Sequence, residues 1–210
     1  MMRILIADDH QLIREGLRAI LREEADLRVI GEATNGPEAL EMTALMKVDL
    51  LILDISLPGM NGLEVLKELK KRKIKTPVLF LTMHPERRYA LRAFRAGAAG
   101  YLTKNDASTN LVKAIRTIGA GTRYISERVA QTLALSLEEL TIDPPHLALS
   151  DREYQVFCLL VSGTTVKEIA YELAVSEATI YTYLDRIYEK MKTRSVAELT
   201  RYALEQGLIE

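Results

Sequence analysis

The chain has 210 residues, 48% of them hydrophobic and 27% charged, with a formal net charge of −1 at pH 7. That length suits two modest domains, and that composition excludes fibrous, disordered and membrane-embedded classes. No apolar run approaches the roughly 20 residues of a membrane span. The opening run Ile4–Ala7 is broken by Asp8 and Asp9, so no signal peptide is expected. The single cysteine, Cys158, excludes an intrachain disulfide and suits a reducing cytoplasm; in its apolar helical run it reads as a small buried hydrophobe.

Strand and helix patterns alternate five times up to about residue 120. Arg3–Asp8 is an apolar run closing on two carboxylates. Gln11–Glu23 places Leu12, Ile13, Leu17, Ile20 and Leu21 on one helical face. Leu27–Ala33 reads as a strand and Pro37–Met46 as a helix with proline in its first turn. Asp49–Asp54 is apolar between its ends, without alternation, which predicts a strand buried on both faces of a parallel sheet. Pro58, Gly59, Asn61 and Gly62 form a loop before a helix over Leu63–Arg72, followed by Pro77–Thr82, Arg87–Ala96, Gly100–Leu102 and Ala107–Ile118. Such alternation predicts a parallel sheet with helices on both faces.

Ser126 is placed to cap a short helix through Leu137, and Pro144 and Pro145 predict an extended linker. From Ser150 onward, Ser150/Glu153, Thr165/Glu168 and Ser195/Glu198 fit the capping box, and Ser176 opens a further helix. The expected organisation is residues 1–120, a linker with a short helix over 121–149, and a compact all-helical unit over 150–210.

In a parallel sheet, Asp8, Asp9, Asp54, Thr82 and Lys104 all fall at carboxyl strand ends, on the one edge where open α/β sheets carry their chemistry. Converging carboxylates call for a cation, and oxygen ligands suit a hard divalent ion, Mg²⁺ by availability. Lys104 would grip an anion there, and the Thr82 hydroxyl would donate to it. Such a site would stabilise an acyl phosphate on Asp54. The plain alternative, acids merely solvated at strand ends, suits one pair better than four positions together.

ILIADDH, LLILDISLPGMNGLE, LTMH and GAAGYLTK resemble, in order and spacing, the receiver domain of two-component response regulators. The resemblance implies a doubly wound, five-stranded, flavodoxin-like α/β fold, with Asp54 as phosphoacceptor. It implies Asp9, Asp54 and the Ser56 carbonyl as ligands of Mg²⁺ or Mn²⁺, with Asp8 assisting, and Thr82, Tyr101 and Lys104 as switch and phosphoryl-binding residues. Tyr101 is then expected to turn inward as Thr82 moves toward the phosphoryl group. Many receivers have proline after the lysine, where this chain has Asn105 and so lacks the residue that favours a cis peptide. LSDRE and KEIAYELAVSEATI resemble the LuxR-type (NarL/FixJ) helix-turn-helix, and VAELTRYALEQGLI the GacA-like subgroup. The implied partners are a sensor histidine kinase, double-stranded DNA and a second copy of the chain on phosphorylation; the implied protein is cytoplasmic and not an enzyme.

On the expected recognition helix, Ile180, Leu184, Ile187 and Met191 form a buried stripe and Ala178, Thr182, Asp185, Arg186 and Glu189 the opposite face. Thr179, Tyr181, Thr182, Tyr183, Arg186 and Lys190 are the candidate DNA contacts. The family usually has lysine at Tyr181, histidine at Tyr183 and a basic or polar residue at Asp185. Residues 145–210 hold 7 Lys/Arg against 10 Asp/Glu, while residues 1–125 hold 20 against 15, so weak, selective DNA binding is expected. A phospho-switch acting through protein–protein contacts remains the second reading. A phosphoaspartate hydrolase is disfavoured because Ser56 stands where such enzymes need a second aspartate. Arg88, Arg92 and Arg95 line one helical face and, with Asp185 and Glu189, suggest an electrostatic latch in the unphosphorylated protein, against the alternative of two solvated faces.

Overall fold

The computed structural model describes residues 1–138 and 144–209, without side-chain placement at 132, 133 and 135–138. It falls into two compact units, Met1–Ser136 and Leu137–Glu210.

The first unit is a five-stranded parallel sheet in the order β2-β1-β3-β4-β5. Its strands are β1 (Met2–Ala7), β2 (Leu27–Ala33), β3 (Leu50–Leu53), β4 (Val78–Thr82) and β5 (Gly100–Thr103). The helices between and after them are α1 (Gln11–Arg22), α2 (Gly36–Leu45), α3 (Gly62–Lys71), α4 (Glu86–Ala96) and α5 (Ala107–Gly119). Because successive strand residues point to opposite faces, Ile4, Ile6, Leu50, Ile52, Leu79, Leu81 and Leu102 meet Leu17 and Leu21 of α1 and Leu111, Ile115 and Ile118 of α5 in one core layer. All four residues of β3 are buried, as its unalternating sequence predicts.

Helix ends follow local chemistry. Asn35 caps α2, and Asn61 caps α3 through a complete box with Glu64 that the loop reading of Asn61 overlooked. Gly97, at φ 90°, closes α4 in the left-handed conformation. Leu12 departs from expectation: it is 79% exposed, because at 100° per residue it lies well off the face shared by Ile13, Leu17 and Ile20. No peptide bond among the described residues is cis.

Helix α6 (Glu127–Glu138) follows Ser126, whose Oγ accepts from the Val129 amide at 3.2 Å. The extended linker expected around the proline pair is corrected in part: Pro145 opens a short 3-10 turn over Pro145–Ala148, proline being suited to a first helical position. Residues 139–143 of that stretch lie outside the described residues.

The second unit holds α7 (Asp151–Val161), α8 (Val166–Glu172), α9 (Glu177–Met191) and α10 (Val196–Glu205). Ser150 and Thr165 form complete capping boxes. Ser195 makes only half of one: its side chain accepts from Glu198, but the Glu198 carboxylate takes the Arg194 amide at 2.9 Å instead of the Ser195 amide. Ile180, Leu184, Ile187 and Met191 are the buried stripe of α9, and Cys158 is buried in α7.

Candidate phosphoryl and nucleic-acid sites

Parallel strands bring every carboxyl end to one sheet edge, and the strand order sets the ends of β1, β3, β4 and β5 side by side. Asp8 and Asp9 follow β1, Asp54 follows β3, Thr82 ends β4, and Lys104 follows β5. The Asp54 amide donates to the Ala7 carbonyl at 2.9 Å, fixing the end of β3 beside that of β1. Gly62 starts α3 directly over this point, where a Cβ would collide with the Asp54 carbonyl.

Lys104 sits between the acids. Its ammonium is 2.6 Å from Asp54 Oδ2 and 2.7 Å from Asp8 Oδ2, and all three side chains are at most 5% exposed. Burial works against its charge, but the two carboxylates outweigh it and hold the lysine above its ordinary value. The other Asp54 oxygen accepts the Ile55 amide at 2.6 Å. Ligand atoms of Asp8, Asp9, His10 and Asp54 lie within 4.8 Å of one another. The three carboxylates suit a hard divalent cation. His10 is tied to Asp8 through its amide at 2.9 Å and to Asp9 through Nδ1 at 2.8 Å, while Arg14 holds the Asp8 carbonyl at 2.8 Å.

Thr82 and Tyr101 are both buried. The Tyr101 hydroxyl donates to the His84 carbonyl at 2.9 Å, so its ring already points inward. His84 bridges the site: its amide approaches Thr82 Oγ1 at 3.4 Å, and Nε2 shares a 2.8 Å hydrogen bond with Ser56 Oγ. Its ring packs 4.7 Å from that of Tyr89. Burial, opposed by Asp54 but assisted by Arg88 and Lys104, holds the His84 imidazole down to about 4. Sequence reasoning assigned no role to His10 or His84, although both lie within the motif stretches; their place one and two residues after the strand-end site residues Asp9 and Thr82 was the available signal.

On α9, Ala178, Thr182, Asp185, Arg186 and Glu189 are exposed as expected, as is Tyr181, while Tyr183 and Thr179 are half-buried. Thr179 bonds the Ser176 hydroxyl at 2.8 Å, and Thr182 donates to the Ala178 carbonyl at 3.0 Å. Ala178, Thr179, Thr182, Tyr183 and Arg186 line a shallow cleft of about 360 Å³. Lys190 turns elsewhere: its ammonium lies 2.6 Å from buried Glu153 of α7. Burial pushes the Glu153 carboxyl up, but Lys190 and the Ser150 cap prevail and hold it below its ordinary range. Arg88, Arg92 and Arg95 lie on α4 in the first unit; Asp185 and Glu189 lie on α9 in the second.

Residues 4–116 match the response regulator receiver domain family, and residues 147–203 match the bacterial regulatory proteins of the luxR family. Response regulator UvrY of Escherichia coli (strain K12) is 36% identical over 209 residues, covering 99% of this chain and 96% of UvrY. Response regulator GacA of Pseudomonas protegens is 37% identical over 210 residues, covering 100% of this chain and 99% of GacA. Among solved structures, RcsB of Salmonella enterica serovar Typhimurium, bound to promoter rprA in the presence of phosphomimetic BeF3-, superposes with a TM-score of 0.65 at 25% identity, covering 96% of this chain and 98% of RcsB. A LuxR-family two-component response regulator from Aurantimonas sp. SI85-9A1 gives 0.61 at 35% identity, covering 65% of this chain and 97% of that one.

Proposed function

Since this chain belongs to the response regulators that join a receiver domain to a luxR-family regulatory domain, we propose that phosphorylation of Asp54 by a sensor histidine kinase controls DNA binding by the C-terminal unit. The observation that carries the assignment is the position of Asp54: a buried carboxylate at the end of β3, in contact with Lys104 and grouped with Asp8 and Asp9.

In the transfer, one Asp54 carboxylate oxygen attacks phosphorus and the phosphorus–nitrogen bond of a kinase phosphohistidine, protonated on its other ring nitrogen, breaks, leaving an acyl phosphate and a neutral histidine. Asp8, Asp9, Asp54 and the Ser56 carbonyl would hold Mg²⁺ or Mn²⁺, which supplies positive charge to the phosphoryl oxygens. Lys104 is freed from Asp54 as the carboxylate is phosphorylated and loses its charge, and its ammonium pairs with the phosphoryl group instead. Thr82, at the end of the neighbouring strand, donates its hydroxyl to the same group. His84 and Tyr101 are joined to Thr82 through the β4–α4 segment, so a shift of Thr82 is felt by both. Transfer to DNA binding draws support from the RcsB relative, solved on promoter DNA with a phosphomimetic.

A second reading keeps the switch but gives the output to protein–protein contacts. The acidic exposed face of α9 and the engagement of Lys190 by Glu153 favour it. Acetyl phosphate with Mg²⁺ tests the first step: the parent takes up one phosphoryl group and Asp54→Asn takes up none. Undiminished labelling of the variant would remove Asp54 from the role. A gel-shift titration of the labelled parent against genomic fragments separates the two outputs.

A further inference from the structure

The exposed face of α9 carries Asp185 and Glu189, and among the described residues neither carboxylate has a cation within ion-pair distance. Lys190 is committed to Glu153, which leaves Arg186 as the cation of α9 outside any ion pair among the described residues. A carboxylate brought into a groove lined by phosphates is repelled unless a donor meets it. In the major groove the donors are exocyclic amino groups, and carboxylate side chains accept from cytosine N4. Guanine O6 and N7 and thymine O4 are acceptors, and each would face the carboxylate lone pair to lone pair; adenine N6 is a donor but stands beside the N7 acceptor, so it meets a carboxylate less well than cytosine N4 does.

We propose that Asp185 is a specificity-determining residue of the recognition helix, selecting a cytosine at the base pair it faces and rejecting other sequences. The inference rests on the DNA-binding reading above. Asp185 stands midway along α9, opposite the stripe formed by Ile180, Leu184, Ile187 and Met191, and one turn nearer than Glu189 to the N-terminal part of a recognition helix that reaches base edges. Glu189 lies one turn further on, toward the C-terminal end and away from the N-terminal residues that read bases. The two acids therefore carry the same charge but occupy different functional places. Asp185 lowers affinity for DNA in general while leaving the matching site bound, so it acts chiefly by exclusion. The plain alternative is a solvated acidic face, in which the two acids are equivalent.

The test is selection from a random double-stranded DNA pool with the full chain treated with Mg²⁺ and beryllofluoride, comparing the parent with Asp185→Ala, Asp185→Asn and Glu189→Ala. Both side chains are exposed, and unchanged far-UV spectra and melting would establish that the variants fold. The parent should select sites with a fixed C·G pair. Asp185→Ala should lose that preference by about tenfold or more at that pair alone, while binding unrelated DNA several-fold more tightly. Asp185→Asn should shift the preference toward adenine, whose N6 and N7 an amide pairs with. Glu189→Ala should keep the parental preference. An Asp185→Ala variant with the parental preference, or Asp185 and Glu189 variants that behave alike, would overturn the inference and leave the DNA-binding reading standing. A parent that selects no sequence would overturn both.

Discussion

Replacing Lys104 with methionine removes the charge that separates Asp8 from Asp54 but keeps much of the side-chain volume. The ammonium is 2.7 Å and 2.6 Å from the two carboxylates, in a setting where all three side chains are almost fully covered. Two carboxylates within 4.8 Å repel by about 3 kcal/mol at an effective dielectric constant near 20. Breaking a buried ion pair by removing one partner costs about 3–5 kcal/mol. Both routes give the same size, equivalent to about 10–20 °C in the melting of a unit this long. Calorimetry of the full chain in EDTA should show that loss in the receiver transition. Mg²⁺ should restore more stability to the variant than it adds to the parent, because the ion takes over the neutralising role of the ammonium. A variant within about 1 kcal/mol of the parent in EDTA, or an equal effect of Mg²⁺ on both, would refute the reasoning.

His84 should make the receiver sensitive to mild acid. Its imidazole is held to about 4 in the folded chain against an ordinary 6.5, so between those values the unfolded state binds the proton and the folded state does not. Stability should therefore be whole above about pH 6.5 and fall, by about 3 kcal/mol, as the pH drops toward 4. His84→Asn, which retains a partner for Ser56, should flatten that limb in urea titrations. Lys190→Ala should act on stability by stranding buried Glu153. With Lys190 itself partly exposed, a loss of about 1–2 kcal/mol is expected in the melting of the C-terminal unit, with little change in the salt dependence of DNA binding. With Arg186, Lys192 and Arg194 the cations near the end of α9 outside ion pairs among the described residues, log affinity for DNA should fall against log salt with a slope of about −3 per protomer, read from anisotropy titrations. A slope several times steeper would mean that other cations carry the binding.

The sheet and the acid cluster were legible because their signals are local and repeated. Unalternating apolar runs such as Leu50–Leu53 admit few other readings, and parallel pairing then brings the residues after them to one edge without any further information. The caps at Ser150 and Thr165 were likewise readable from side chains three residues apart. Leu12 was misread because neighbouring apolar residues lie 100° apart on a helix, and of the pair Leu12 and Ile13 only Ile13 shares the face of Leu17 and Ile20. The Lys190–Glu153 pair joins residues 37 positions apart, and only the packing of α9 on α7 brings them together. His84 escaped for a related reason. Its partners come from the segment after β3, from β5 and from α4, and no spacing along the chain foretells that meeting.

The most direct test of the account measures DNA affinity before and after phosphorylation. Fluorescence anisotropy on a selected DNA site, with Mg²⁺ and with or without acetyl phosphate, should show the parent binding several-fold more tightly once Asp54 is phosphorylated and Asp54→Asn not responding. A parent whose affinity is unmoved while intact mass shows the phosphoryl group in place, or an Asp54→Asn variant that responds as the parent does, would contradict it.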